Sequence, residues 1–334
     1  MGSIWFESKT FCDHIHEIVG FKSGIATSIE QMCDLLTNTS FPDVLLESEK
    51  NTVRIRSEDY DSLYYHLLYK LGVTNTPLGG QFELMSFLSK FNKDYGMEKS
   101  EIFFDLFHKS FNSEIRIASK NNGFLDHLKI INPIGDKLGL KFKRLALDYL
   151  LLFNDANKLS PMNRWERWDN KVNLDDLFYS GTQSENMVGE FIDQRYINFL
   201  SANLDKLSQI HWRKFEELTA EYFHRQGYKV DLGSGTNDDG VDLRIWNDKG
   251  NSPEYIIQCK RQAKKIDKVT VKGLYTDVIY EGASQGLLVT SSEFSPGARQ
   301  TVEVRGYPIS EINGDKVKEW IVSLRVPGVG IVRV

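Results

Sequence analysis

YKVDLGSGTNDDGVDLRIWNDKGNSPEYIIQCK, residues 228–260, is the stretch from which the fold can be read. Three short apolar runs, YKVDL (228–232), VDLRIW (241–246) and EYIIQCK (254–260), are separated by turns rich in Gly and Asn, which is the pattern of β-strands. GLLVT (286–290) supplies a fourth strand, and a helix from about Lys268 to Tyr280 lies before it. Upstream, HWRKFEELTAEYFHRQG (211–227) reads as an amphipathic helix: Phe215, Leu218 and Tyr222 share a face and Gly227 stops it. Helix, three strands, helix, strand in this order specify a small sheet with helices packed on its faces.

The first two thirds of the chain read as mainly helical. DYDSLYYHLLYKLG (59–72) sets Leu63, Leu67 and Leu71 along successive turns, with Gly72 as a stop. QFELMSFLSKFNKDYG (81–96) repeats this with Phe82, Met85, Leu88 and Phe91, and EIFFDLFHKSF (101–111) and GLKFKRLALDYLLLF (139–153) follow the same grammar. Their aromatic stripes read as core. Between Asn154 and Gln183 the texture turns polar, with Pro161 and NRWERWDNK (163–171), as in a linker or a strap; a further helical segment runs from about Glu185 to Leu207. The expected class is α+β: a helical domain over 1–155, a linker and connecting helix over 156–206, and an α/β domain with a small mixed sheet over 207–334.

A length of 334 residues suits two domains, and a hydrophobic fraction of 41% leaves apolar material for a core in each. The net charge of −5 excludes a whole-protein basic footprint, so any nucleic-acid surface must be a local basic face. Cys12, Cys33 and Cys259 are too few and too scattered for a disulfide framework or a zinc site, and His14, His16, His66, His108 and His127 show no metal-ligand pairing. MGSIWFESKT at the N-terminus does not read as a signal peptide, and the longest apolar run, Leu145–Phe153, is broken by Asp148. The expectation is a soluble, cytoplasmic protein with no membrane partner.

The candidate chemistry lies in the α/β region. Gln258 and Lys260 are two apart on a strand, so they share one face while Cys259 points into the core. Asp242 at the start of the preceding strand offers a carboxylate. Phosphodiester hydrolysis needs a hard cation held by oxygen ligands and positive charge beside the attacking water. Asp242 and the Gln258 amide oxygen suit the first need and the Lys260 ammonium the second. The basic segment Arg261, Lys264, Lys265, Lys268 and Lys272 follows directly and reads as a phosphate track, although an ordinary solvated helix face has the same composition.

FEELTAEYFHRQGYKV, GTNDDGVDLRI, YIIQCKRQ and GLLVTSSEFSPGA, in this order, resemble the Mrr-type restriction endonuclease catalytic domain of the PD-(D/E)xK nuclease superfamily. The resemblance covers roughly Leu207 to Ile321, the C-terminal third only. It implies a restriction-endonuclease-like fold, with Asp242 as metal-binding aspartate, Lys260 as catalytic lysine, and Gln258 at the position where most of the superfamily has Asp or Glu. Glu216 matches the helix glutamate, with Glu217 as the alternative. The implied metal set is Asp242, Glu216 and Gln258. Asp239 stands where the family often has glycine and is read as a turn residue, with metal binding as the alternative. The resemblance implies a magnesium-dependent endonuclease on double-stranded DNA (Mn2+ as substitute), acting in restriction-like defence. The helical half would then regulate, target or oligomerise it, as a homo-oligomer or with a partner protein. The competing readings are a non-cleaving nucleic-acid-binding or scaffold protein that keeps the nuclease fold, and a nuclease acting on RNA or single strands.

Two smaller features carry two readings each. Thr290, Ser291 and Ser292 either contact backbone phosphate or close the sheet. Trp165 and Trp168 read as core or interdomain anchors rather than base-stacking platforms.

Overall fold

The computed structural model describes residues 2–118, 125–183, 188–235, 240–247 and 252–333. Packing divides the chain into two compact units, one of residues 1–57, 66–75 and 167–334, the other of residues 58–65 and 76–166. This division follows contacts rather than texture: the first seventy-five residues fall mostly with the C-terminal part of the chain.

The first unit opens with strand β1 (Ser3–Phe6), helix α1 (Thr10–Ser23) and the short strand β2 (Ile25–Ala26). Helices α2 (Ile29–Leu35) and α3 (Phe41–Ser48) lead to β3 (Val53–Arg56), which pairs antiparallel with β1. A capping box starts α2: the Ser28 hydroxyl accepts from Gln31 N, while Gln31 Oε1 accepts from Ser28 N. Helix α4 (Ser57–Lys70) buries Leu63 and Leu67, with Leu71 just beyond it, along the expected stripe.

The second unit is built on α5 (Gly79–Tyr95), α6 (Met97–Ala118), α7 (His127–Leu138) and α8 (Leu140–Lys158). Phe91, Phe103, Phe107 and Tyr149 meet ring to ring in its core, with centroids 4.6–6.4 Å apart in the closest arrangements. The stripe on α5 is narrower than its spacing predicts. Phe91 is buried, but Phe82 and Met85 are exposed, because the helix turns only one side to the aromatic cluster.

The polar stretch after α8 is a strap with its own short elements. It contains β4 (Glu166–Arg167), β5 (Val172–Asn173) and α9 (Leu174–Tyr179), and β5 pairs parallel with β2. Trp168 is buried as expected: its N donates to Phe21 O, and the Arg195 guanidinium lies 4.4 Å from its ring centroid. Trp165 departs from the expected anchoring role, being 72% exposed. The expected helix from Glu185 begins only at Gln194, as α10 (Gln194–Ala202), and its Glu185 start lies outside the described residues. Arg195, in its first turn, is buried, with Nε and Nη2 donating to both Asp193 carboxylate oxygens at 2.7 and 2.6 Å.

A 3-10 turn (Leu204–Ser208) precedes α11 (Trp212–Arg225), β6 (Lys229–Leu232), β7 (Leu243–Trp246), β8 (Tyr255–Lys260), α12 (Lys268–Glu281) and β9 (Gln285–Thr290), close to the expected succession. Four elements follow: α13 (Pro296–Arg305), β10 (Ile309–Ile312), α14 (Gly314–Leu324) and β11 (Val332–Arg333). Strands β10, β9, β8, β7 and β6 form one mixed sheet in that order, parallel from β10 to β8 and antiparallel from β8 to β6. Ile256 and Leu288 pack with Val271, Leu274 and Val278 of α12 on one face. On the other face Cys259 meets Thr219 of α11, and Tyr222 of α11 stacks on Trp320 of α14 with centroids 4.0 Å apart. The result is a sheet clad by helices on both sides.

Candidate active site

The sequence candidates gather where β7 begins and β8 ends. Antiparallel pairing sets Leu243 opposite Ile257, which carries Asp242 opposite Gln258 one step further along. The Asp242 amide donates to Ile257 O at 2.9 Å. Its Oδ2 accepts from Cys259 N at 2.6 Å, so a side chain continues the ladder where the backbone pairing ends.

Gln258 is held by one end. Its Nε2 donates to Gly240 O at 2.9 Å, which fixes the direction of the amide. The other end, Oε1, is buried with no hydrogen-bond partner. A buried acceptor left in this state costs about 1–3 kcal/mol, and a cation is one partner that would satisfy it. Gly240 has φ 89°, and a Cβ there would sit 3.2 Å from Gln258 Nε2, so a side chain would both strain the backbone and crowd the amide.

Lys260 lies two residues further along the strand and shares this face with Gln258. Both open onto a cleft walled by Thr270, Gly273 and Asp277 of α12. Cys259 projects to the other side, with Sγ 3.6 Å from Thr219 Oγ1. Burial pushes its thiol well above the ordinary range; the charges of Asp242 and Glu216 add to this, while the Thr219 contact and Lys260 oppose it.

Glu216 is buried in the first turns of α11, where its Oε2 accepts from Arg213 Nη1 at 3.0 Å. The same Nη1 donates to Gly233 O at 2.7 Å, and Gly233 N donates to Asp242 O at 2.8 Å. Arg213 thus ties the helix carboxylate to the chain that pairs with Asp242. Glu217 turns inward: Lys214 Nζ lies 2.9 Å from its Oε2 and also donates to Thr182 O. Burial raises the Glu217 carboxyl above its ordinary range, with the Lys214 hydrogen bond and charge, and Arg213, pulling the other way.

The basic residues after Lys260 divide. Arg261 Nη1 donates to Ser208 O at 2.9 Å, and Lys265 pairs with Glu293 at 2.7 Å. Lys264 and Lys268 are exposed and Lys272 is half-buried. Thr290, Ser291 and Ser292 donate their hydroxyls to Lys260 O, Gln262 O and Ala263 O, so they close the sheet against the segment leaving β8. Asp239 lies outside the described residues.

Among the described residues, no group of three or more His, Cys, Asp or Glu side chains could hold a metal ion. Three participants escaped the sequence reading. Arg213 had no signal beyond its place three residues before Glu216. Asp277 and Thr270 had one, since Thr270, Gly273 and Asp277 fall on one face at i, i+3 and i+7.

Residues 207–321 match the Mrr_cat family model, a restriction endonuclease. The chain is 31% identical over 108 residues to the type IV methyl-directed restriction enzyme EcoKMrr of Escherichia coli (strain K12), covering 30% of this chain and 36% of that enzyme. It is 29% identical over 97 residues to the uncharacterized protein y4cE of Sinorhizobium fredii (strain NBRC 101917 / NGR234), covering 28% of this chain and 25% of that protein. The alignments thus span about a third or less of these relatives. Among solved structures, MspJI restriction endonuclease in complex with a 27-mer oligonucleotide overlaps 47% of this chain and 36% of its own, at 21% identity and a TM-score of 0.26. No described helix is long and apolar enough to cross a membrane.

Proposed function

We propose that this chain, whose residues 207–321 match an Mrr-type restriction-endonuclease domain, is a metal-dependent endonuclease that hydrolyses phosphodiester bonds in double-stranded DNA. The observation that carries the reading is the buried, unpartnered Oε1 of Gln258 set across the ladder from Asp242. Two hard oxygen donors so placed fit Mg2+ or Mn2+. Asp242 and Gln258 would hold the ion, with Glu216 joining them if it leaves Arg213. Such a cation supplies positive charge against the charge that develops on the phosphoryl oxygens.

The chain's own residues do the rest. The Gly240 carbonyl keeps the Gln258 amide oxygen free by holding its nitrogen. The Cys259 amide donates to Asp242 Oδ2 and so fixes the carboxylate at the start of β7. Lys260, on the same face, donates hydrogen bonds to the attacking water or to a phosphoryl oxygen and offsets charge in the transition state. Lys264, Lys268 and Lys272 position backbone phosphates. Kinship with a methyl-directed restriction enzyme supports a role in restricting foreign DNA, with the helical part regulating or assembling the nuclease.

The substrate is tested by presenting labelled duplex DNA, its single strands and RNA of the same sequence, each with magnesium. Cleavage of the duplex in preference to the others is expected. Preferential cleavage of RNA or single strands would overturn the assignment to duplex DNA.

A further inference from the structure

Helices α5, α6 and α8 of the second unit leave between them an open cavity of about 800 Å3. That size lies within the range of small-molecule sites. Its inner surface is largely aromatic and aliphatic, with Leu84 and Tyr149 buried and Phe104 and Phe153 half-buried. The T-shaped Phe104–Tyr149 contact, centroids 5.0 Å apart, sets ring faces and edges against which a planar guest can pack.

Polar atoms along this surface lack partners that a guest could supply. Asn92 lines the cavity, and its Oδ1 is buried without a hydrogen-bond partner. The Tyr149 hydroxyl is raised above its ordinary pKa by burial alone, with no hydrogen bond contributing. Glu98 and Glu101 add carboxylates at exposed positions, and His108 is the one basic side chain among the described lining residues. The lining thus presents acceptors and negative charge around an aromatic floor. Phosphates and carboxylates are disfavoured there, while ring-borne amino groups and delocalised cations are favoured.

We infer that this cavity binds a small planar aromatic molecule that carries hydrogen-bond donors and no negative charge. The site is independent of the nuclease reading and uses no residue of that site. Met85 and Met97, exposed at 62% and 74%, flank it as flexible apolar edges that such a guest would cover.

The test uses the full chain without DNA or divalent ions and follows the fluorescence of two probes, 2-aminopurine and proflavine. Saturable binding of at least one probe is expected. It should weaken about threefold to tenfold in Asn92→Leu and in Tyr149→Phe, each of which removes one hydrogen bond. Met85→Trp, at an exposed position where folding is undisturbed, should block binding by filling the cavity mouth. The 5′-monophosphate of 2-aminopurine riboside should bind more weakly than the free base. Neither probe binding up to its solubility limit, binding unchanged in Met85→Trp, or the monophosphate binding as tightly as the base would each overturn the inference.

Discussion

Replacing Gln258 with glutamate tests how the candidate site is held together. Nε2 of Gln258 donates to Gly240 O at 2.9 Å, and a carboxylate has no donor to offer there. Gln258→Glu therefore leaves the Gly240 carbonyl facing another acceptor and adds a second negative charge opposite Asp242. Losing the bond costs about 1–3 kcal/mol. For a unit of this size each kcal/mol moves the melting temperature by roughly 2–4 °C, so a fall of about 2–12 °C is expected in EDTA. A divalent cation changes the balance, because an ion that binds only the folded state adds about 2.7 kcal/mol at a hundred times its Kd. The extra carboxylate also makes the variant the stronger cation binder. Thermal unfolding followed by circular dichroism, in EDTA and in saturating magnesium, should show a gap between variant and wild type that narrows with the metal. Equal melting in EDTA would refute the structural part of the reasoning, and a gap that magnesium leaves unchanged would refute Gln258 as a cation ligand.

Lys214→Met strands the fully buried Glu217 without its partner at 2.9 Å, and removing one member of such a pair costs about 3–5 kcal/mol. Because the folded state raises the Glu217 carboxyl above its ordinary value near 4.5, the folded protein binds the extra proton, and stability falls as pH rises through that window. Urea unfolding of the variant should accordingly show its deficit shrinking below pH 4.5; a deficit independent of pH would contradict this. Arg195→Lys keeps the charge but loses the two-pronged contact with Asp193, so a clear drop in melting temperature is expected despite the conservative change. Replacing Lys264, Lys268 and Lys272 together by alanine should flatten the salt dependence of DNA binding, by up to roughly 2.7 in the log–log slope. Arg261→Ala, which loses a bond to Ser208 O, should lower stability with little change in that slope.

The α/β core was readable because its signals are local. β6 to β9 are short apolar runs between turn residues, α11 carries a clear apolar face, and Gln258 and Lys260 share a face by strand geometry alone. Elements defined by distant partners were not readable. β1 and β3 are four residues each and become strands only by pairing across some fifty residues of chain. β10 (ISEI) has too few apolar residues to announce itself, and is recruited as an edge strand by β9. Arg261 looked like a phosphate ligand from its neighbours, yet its carbonyl partner Ser208 is 53 residues upstream. The chemistry of the site showed a similar split. The donor types at 242, 258 and 260 were visible in the sequence, whereas the Gly240 bond that frees Gln258 Oε1 and the Arg213 contact that holds Glu216 exist only in the folded chain.

The most direct test of the central claim is to incubate supercoiled plasmid with the purified protein in magnesium, in manganese and in EDTA, beside folded Lys260→Ala and Asp242→Ala variants. Nicking or linearisation by the wild type in either metal, absent in EDTA and in both variants, is the expected result. Cleavage that persists in EDTA or in both variants, or a wild type that binds the plasmid but never cuts it, would contradict a metal-dependent nuclease centred on these residues.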